Sequence, residues 1–236
     1  MNKIKRIFRC LLWRFIIVLL RLFTKRVSGR SYHIKGLKIY VSKNTFPPFN
    51  TISTELLLDV LNNILDNMMQ NKAAKEIKLC DMGAGTGIIG IFAARKGCSV
   101  IATDIQKEAI MVTKLNAMLN GVRVITRLGD LFSQFKPEEK FDIIVFNPPY
   151  FPFEPKDVFS YTYSGGKNYA TLIRFLRNAR KHLKQHGFIL ITLSNLIDED
   201  FILTCATKLK YTIEKICERR GIPTEVIRVY RLSPSF

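Results

Sequence analysis

Apolar positions change period repeatedly along this chain. Over residues 51–69, Leu56, Leu57, Val60, Leu61, Ile64 and Leu65 recur at helical spacing. That predicts a helix over Thr51–Met69, with Ser53 or Thr54 as its cap. Short apolar runs then alternate with helical stretches. Strands are expected at Ile77–Cys80, Ser99–Thr103, Arg123–Arg127, Phe141–Phe146 and Phe188–Leu193. Helices are expected at Gly87–Lys96, Gln106–Leu119, Tyr169–Gln185 and Asp200–Leu209. Phe141–Phe146 is of the continuous apolar type found where both faces of a sheet are covered. Tyr211–Cys217 and Glu225–Leu232 read as a closing strand pair joined through Arg219-Arg220-Gly221-Ile222-Pro223. Leu37–Val41 is a short extended stretch, and Phe46-Pro47-Pro48-Phe49 is a breaker. The expected fold is α/β: a doubly wound, mainly parallel, Rossmann-like sheet with a C-terminal antiparallel hairpin. It occupies residues 37–236 as one domain, without internal repeats or low-complexity linkers.

Residues 1–36 form a separate basic, amphipathic segment. Its apolar stretch, residues 7–23, is interrupted by Arg9, Arg14 and Arg21, and the longest apolar run is Phe15 to Leu20. A spanning helix needs about 20 predominantly apolar residues. Thr24-Lys25-Arg26-Val27 follows, which is no signal-cleavage site. At 100° per residue, Arg6, Trp13, Arg14, Ile17 and Arg21 share one side. Phe8, Leu11, Phe15, Val18, Leu19 and Leu22 share the other. Such a helix suits peripheral contact of residues 4–23 with an anionic membrane face. Packing on the body, or binding of RNA or a partner, fits the same charge.

The net charge is +18, which by itself points towards nucleic acid. Its distribution changes that reading. Residues 1–43 hold 12 Lys/Arg and no acid, leaving 25 Lys/Arg against all 19 Asp/Glu in the remainder. The body is only mildly basic. The five cysteines, at 10, 80, 98, 205 and 217, are odd in number and lack metal-ligand spacing. They read as reduced, mostly buried thiols of a cytoplasmic protein without a metal site.

Residues 80–90 are Cys-Asp-Met-Gly-Ala-Gly-Thr-Gly-Ile-Ile-Gly, between an expected strand and helix. Gly83, Gly85 and Gly87 let the backbone turn sharply and approach a ligand, and the helix start presents free N–H groups. A dinucleotide fingerprint is formally satisfied, yet Asp81 ahead of the loop sits badly beside a pyrophosphate and well beside a cationic amino-acid group. Asp104 ends the next strand and suits ribose hydroxyls. After the third strand, Asp130 suits an adenine amine, with Ile105 and Leu131 against the ring faces. This set favours S-adenosyl-L-methionine.

At the end of the fourth strand stands Phe146-Asn147-Pro148-Pro149-Tyr150. Ligands of such sheets bind beyond the carboxyl ends of the strands. The Asn147 side-chain oxygen and the Pro148 carbonyl can accept two N–H bonds of an amide or amine. Two prolines fix the turn and remove competing donors, and Tyr150 can stack on the planar group. Asn147, Pro148, Pro149 and Tyr150 are therefore the expected catalytic set, for transfer of a methyl group to nitrogen by in-line displacement.

The combination resembles the class I methyltransferases with an Asn-Pro-Pro-Tyr motif. Above all it resembles the HemK-type glutamine methyltransferases, which modify release factors, in their short eukaryotic and archaeal branch. The resemblance runs from about residue 37 to 232 and includes Ser164-Gly165-Gly166 and the ending Arg219–Leu232. It implies cofactor contacts at Asp81, Gly83, Gly85, Asp104, Asp130 and Asn147, with Asn147 and Pro148 also holding the target nitrogen. Thr54 matches the Thr of the branch's Asp-Thr pair, and Ser53 replaces its Asp; Phe46-Pro47-Pro48-Phe49-Asn50 stands in place of its Tyr-Pro part. The expected acceptor is a protein side chain, glutamine first. Exocyclic amines of RNA, a small molecule near a membrane, and a catalytically silent adenosyl-binding module are the alternatives. An additional subunit is left open.

Overall fold

The computed structural model describes residues 3–48, 51–221 and 225–235. Phe49 and Asn50 of the breaker, and Ile222 and Pro223 of the closing loop, lie outside them, as do the side chains of Arg6, Phe8 and Cys10. Helix α1 spans Lys3–Val27. A hairpin follows, β1 (Arg30–Ile34) with β2 (Leu37–Val41), turned at Lys35-Gly36 with φ +49° and +77°. Two positive φ angles in a two-residue loop match the twist of the strands it joins. Strand β1 was not expected: it is mostly exposed and lacks an apolar alternation.

The body then alternates as expected: α2 (Ile52–Met69), β3 (Lys78–Met82), α3 (Ile88–Arg95), β4 (Ser99–Asp104), α4 (Lys107–Leu119), β5 (Ile125–Leu128) and β6 (Phe141–Phe146). It continues with α5 (Ala170–Ala179), β7 (Leu183–Ser194), α6 (Glu199–Lys208), β8 (Tyr211–Arg220) and β9 (Val226–Pro234). The seven-stranded sheet runs β5-β4-β3-β6-β7-β9-β8. Its first five strands are parallel, and β9 pairs antiparallel with both β7 and β8. The doubly wound sheet and its antiparallel ending are as the periodicity predicted. One apolar layer, centred on Leu57, Leu61, Leu65, Leu79, Ile143 and Leu190, lies between the sheet and helices α2 and α3. The other, with Phe175, Leu176, Ile144 and Ile191, lies under α5 and α6.

One expected helix is corrected. The helical pattern read over Tyr169–Gln185 ends at Ala179, and β7 begins at Leu183 after a single tight turn. Lys, Arg and Gln favour helix locally, but pairing of Leu183 with Phe141 wins. The register then jumps to Ile143 with Phe188, leaving a bulge over 184–187. A side chain at Gly187 would come within 2.6 Å of the Phe141 carbonyl, so only glycine lets the bulge close there.

Chain reversal occurs beside β3. The order passes from β3 outward to β4 and β5, then returns to β6 on β3's other side. A crevice opens at such a switch point, outside the carboxyl ends of the two strands. Met82 and Phe146 are direct partners there. The glycine loop and the Asn-Pro-Pro-Tyr turn thus leave the sheet side by side.

Candidate functional site

A cavity of about 1000 Å³ occupies this crevice. Gly83, Gly85, Asp104, Ile105, Asp130 and Leu131 line it on one side, with Thr54 beside them. Asn147, Pro148, Pro149 and Tyr150 line it on the other. The structure therefore brings together eleven of the expected residues in one space.

The loop is built by backbone. Gly83, Gly85 and Gly87 have φ of +65°, +56° and +78°. At Gly87 a side chain would meet Thr113 at 2.6 Å as well as the positive φ, so the α3 start tolerates nothing larger. The Asp104 carboxylate accepts from Gly85 N at 3.0 Å and from Gln106 N at 2.8 Å. It thereby ties the loop to the end of β4 and retains lone pairs for a ligand. Burial raises its pKa above the usual carboxylate range.

Two expected residues sit elsewhere. Asp81 is 2% exposed and does not line the cavity; its Oδ2 accepts Gly90 N inside α3 at 2.8 Å. Burial pushes its pKa up to about 7. In this position Asp81 braces the helix that carries the loop. Gly87 is also behind the wall, shaping the turn.

Asp130 is paired with Arg174 of α5, which lines the same cavity. Leu131 holds φ +50°, strain on the order of 1–2 kcal/mol for a non-glycine residue. That backbone turn places Leu131 on the cavity wall.

The Asn-Pro-Pro-Tyr turn is held by side chains. Thr192 Oγ1 lies 2.6 Å from Asn147 Oδ1, and the Tyr150 hydroxyl lies 2.8 Å from Thr192 Oγ1 and 3.1 Å from Asn147 Oδ1. Each hydroxyl carries one proton. The arrangement that satisfies both short contacts is a relay: Tyr150 donates to Thr192, and Thr192 donates to Asn147. It leaves the second lone pair of Asn147 Oδ1 for a ligand N–H. Asn147 Nδ2 donates to Ser53 Oγ at 3.4 Å, which turns the oxygen away from α2. Burial raises the Tyr150 pKa well above the usual phenol range, so the hydroxyl stays protonated as the relay requires. The hydroxyl end of Tyr150 is thus an internal donor, and only its ring is left for stacking.

The loop after Tyr150 folds back over the turn. Phe151 N donates to Tyr163 O at 2.8 Å, and Gly165 N to Phe151 O at 2.8 Å. A side chain at Gly165 would stand 2.6 Å from the Pro149 carbonyl, which accounts for Ser164-Gly165-Gly166.

Sequence reasoning missed Thr192, Glu225 and Arg174. Glu225 lines the cavity, accepts from Ser194 Oγ at 2.9 Å, and has its pKa raised by burial. A signal existed for the first: Thr192 and Ser194 alternate as fully buried polar residues in the apolar run of β7. A buried hydroxyl needs a partner, and that partner was the site. Side chains of α1, among them Phe15, Leu19 and Phe23, also line the mouth of the cavity, which sequence could not place.

Known proteins are similar to this chain in sequence and in fold. A putative protein N5-glutamine methyltransferase of Methanocaldococcus jannaschii is 33% identical over 208 residues, covering 84% of this chain and 98% of the relative. The methyltransferase HEMK2 of Mus musculus is 32% identical over 193 residues, covering 77% and 87%. Among solved structures, that of the E. cuniculi Mtq2-Trm112 complex, described as responsible for methylation of the termination factor eRF1, superposes with a TM-score of 0.58 at 20% identity, over 78% of this chain and 95% of that one. The family profile named "Methyltransferase small domain" matches residues 52–218. The chain belongs to that family and is a methyltransferase.

Proposed function

We propose that this methyltransferase takes its methyl group from S-adenosyl-L-methionine and places it on the side-chain amide nitrogen of a protein glutamine. One observation carries the reading. The Asn147 oxygen, held by a relay with one lone pair spare, stands in the same cavity as the glycine loop and Asp104. The donor fits these residues. Asp104 offers carboxylate oxygens for vicinal hydroxyls, Ile105 and Leu131 offer apolar faces for a ring, and Gly83 and Gly85 let that wall be backbone. The bound donor supplies an electrophilic methyl group on a sulfonium.

The chain's own residues do the rest. An amide nitrogen is barely nucleophilic, because its lone pair is delocalised into the carbonyl. Asn147 Oδ1 and the Pro148 carbonyl accept its two N–H bonds, which fixes the amide plane and increases electron density on nitrogen. Rotation of the nitrogen away from the donor is then costly, and positioning supplies most of the rate. The folded-back loop over Pro149 and the ring of Tyr150 limit water around the amide. The relative described as a putative protein N5-glutamine methyltransferase, which matches 84% of this chain, supports a protein acceptor over RNA.

A partner subunit belongs to the same proposal. Strand β5 ends the sheet, with Ile125 and Leu128 exposed, and Met111, Leu115 and Met118 of α4 continue the apolar surface. An edge of this kind accepts an added strand. The neighbour of similar fold is a complex with Trm112. Co-expression with a Trm112-like protein should give a stable heterodimer that Ile125→Lys disrupts.

The test of the acceptor is incubation with methyl-labelled donor and cell extract. Label is expected in a protein band that resists ribonuclease, with N5-methylglutamine in its hydrolysate. Label confined to ribonuclease-sensitive material would overturn the acceptor and leave the donor site standing.

A further inference from the structure

Helix α1 is docked on the body by one side only. Trp13 packs 5.7 Å from Phe151 and 6.3 Å from Phe153, and its Nε1 donates to the Leu196 carbonyl at 3.0 Å. Ile16, Ile17 and Leu20 pack beside it. Arg21 donates to Asp157 Oδ2 at 2.6 Å and to the Tyr163 hydroxyl at 2.9 Å, over the ring of Phe159. The orientation of the helix is therefore set by the body. The side carrying Trp13 and Arg21, which reads as the basic face in the sequence, turns inward.

The opposite side is left bare. Leu11, Phe15, Val18, Leu19 and Leu22 are each about half exposed or more, between 49% and 61%. Spaced by three and four residues, they form one straight ridge roughly 16 Å long. Burial of such side chains is favourable in proportion to the apolar area removed from water, so five of them in water is a large standing cost. Arg14, Lys25 and Arg26 are exposed around the ridge, and no acid occurs in residues 1–43. The ridge itself holds no polar group for a directional contact.

We propose that this ridge seats α1 in the surface of an anionic lipid bilayer, with the flanking cations on the headgroups. Apolar burial and charge attraction are the two components of interfacial binding. No helix among the described residues is long and apolar enough to cross a membrane, so α1 lies in the interface. Phe15 and Leu19 belong both to the ridge and to the mouth of the cavity. Seated in this way, the cleft opens beside the bilayer, and an acceptor at the membrane surface reaches it without the enzyme detaching. The inference stands apart from the identity of the acceptor.

Vesicle flotation of the full chain tests it. The protein is expected to float with vesicles of phosphatidylcholine containing about one third phosphatidylserine, and to stay behind with phosphatidylcholine alone. High salt should weaken flotation, because screening shortens the reach of the cations. The variant L11E/V18E/L22E, whose three positions do not line the cavity, should lose at least about tenfold in vesicle affinity. Its melting temperature and its affinity for the methyl donor should be unchanged. If that triple variant fails to fold, Leu22→Ser alone should weaken flotation measurably, and the lipid and salt dependence of the wild type still decides. Wild type that ignores both vesicle types would overturn the proposal. So would flotation unaffected by L11E/V18E/L22E, or a wild-type dimer in the ultracentrifuge that this variant splits while vesicles bind neither.

Discussion

The two halves of the cleft are built on different principles. The donor half is local and made of backbone: three glycines, two strand ends and the carboxylate of Asp104. The acceptor half is assembled from distant side chains, since Asn147 and Tyr150 come from the turn after β6, Thr192 from β7 and Ser53 from α2. Backbone geometry tolerates change in neighbours, whereas a relay of three hydrogen bonds fails when one member is lost. Substitutions in the donor half should therefore read out as binding, and those in the acceptor half as turnover.

The largest effect expected is that of Asn147→Ala. It removes the oriented acceptor, so single-turnover kinetics should show a rate at least about 100-fold lower, with donor affinity by calorimetry within a few-fold of wild type. Unchanged turnover would remove the acceptor half as described.

Next comes Asp104→Ala. It removes a charged hydrogen-bond acceptor from the donor half and should weaken donor binding by roughly 1.5–3 kcal/mol. A loss confined to the rate, with intact binding, would erase the distinction between the halves.

Thr192→Val is near-isosteric and breaks the relay while leaving Asn147 in place. A rate loss of roughly tenfold is expected, the scale of one hydrogen bond, without change in donor affinity. Thr192→Ser should restore most of the rate. Equal loss in both variants would show that Thr192 only fills space.

Asp81 gives the smallest and most conditional effect. Its pKa in the folded protein is raised to about 7 by burial, so ionisation opposes folding. The favourable contribution is complete below about pH 4, and is lost as pH rises through about 7. Asp81→Asn keeps an acceptor for Gly90 N and cannot ionise. Melting temperatures of the two proteins should diverge over this window, with Asp81→Asn the more stable at pH 8. Parallel curves would mean that Asp81 is already ionised at low pH, as a direct partner of a cation would be.

The donor half was legible because its signals are short in sequence. A loop of glycines after an apolar strand, and an acid at the end of the next, report a strand-to-helix turn wherever the strands pair. Asp81 shows the limit: its type and spacing are legible, whereas its hydrogen bond to Gly90 N inside α3 depends on what packs behind it. Helix α5 ended early for a similar reason, when strand pairing at Leu183 overrode local propensity.

From the order of its residues alone, this chain specified a doubly wound sheet, a glycine turn and a prolyl turn at the ends of two strands. These follow from periodicity and from backbone restrictions that act within a few residues. Tertiary structure alone decided that β3 and β6 are neighbours, that Thr192 reaches Asn147, and that the side of α1 bearing Trp13 and Arg21 is the buried one. Each of those depends on pairings across tens to nearly two hundred residues, where the deciding free energy lies in partners that no local pattern names.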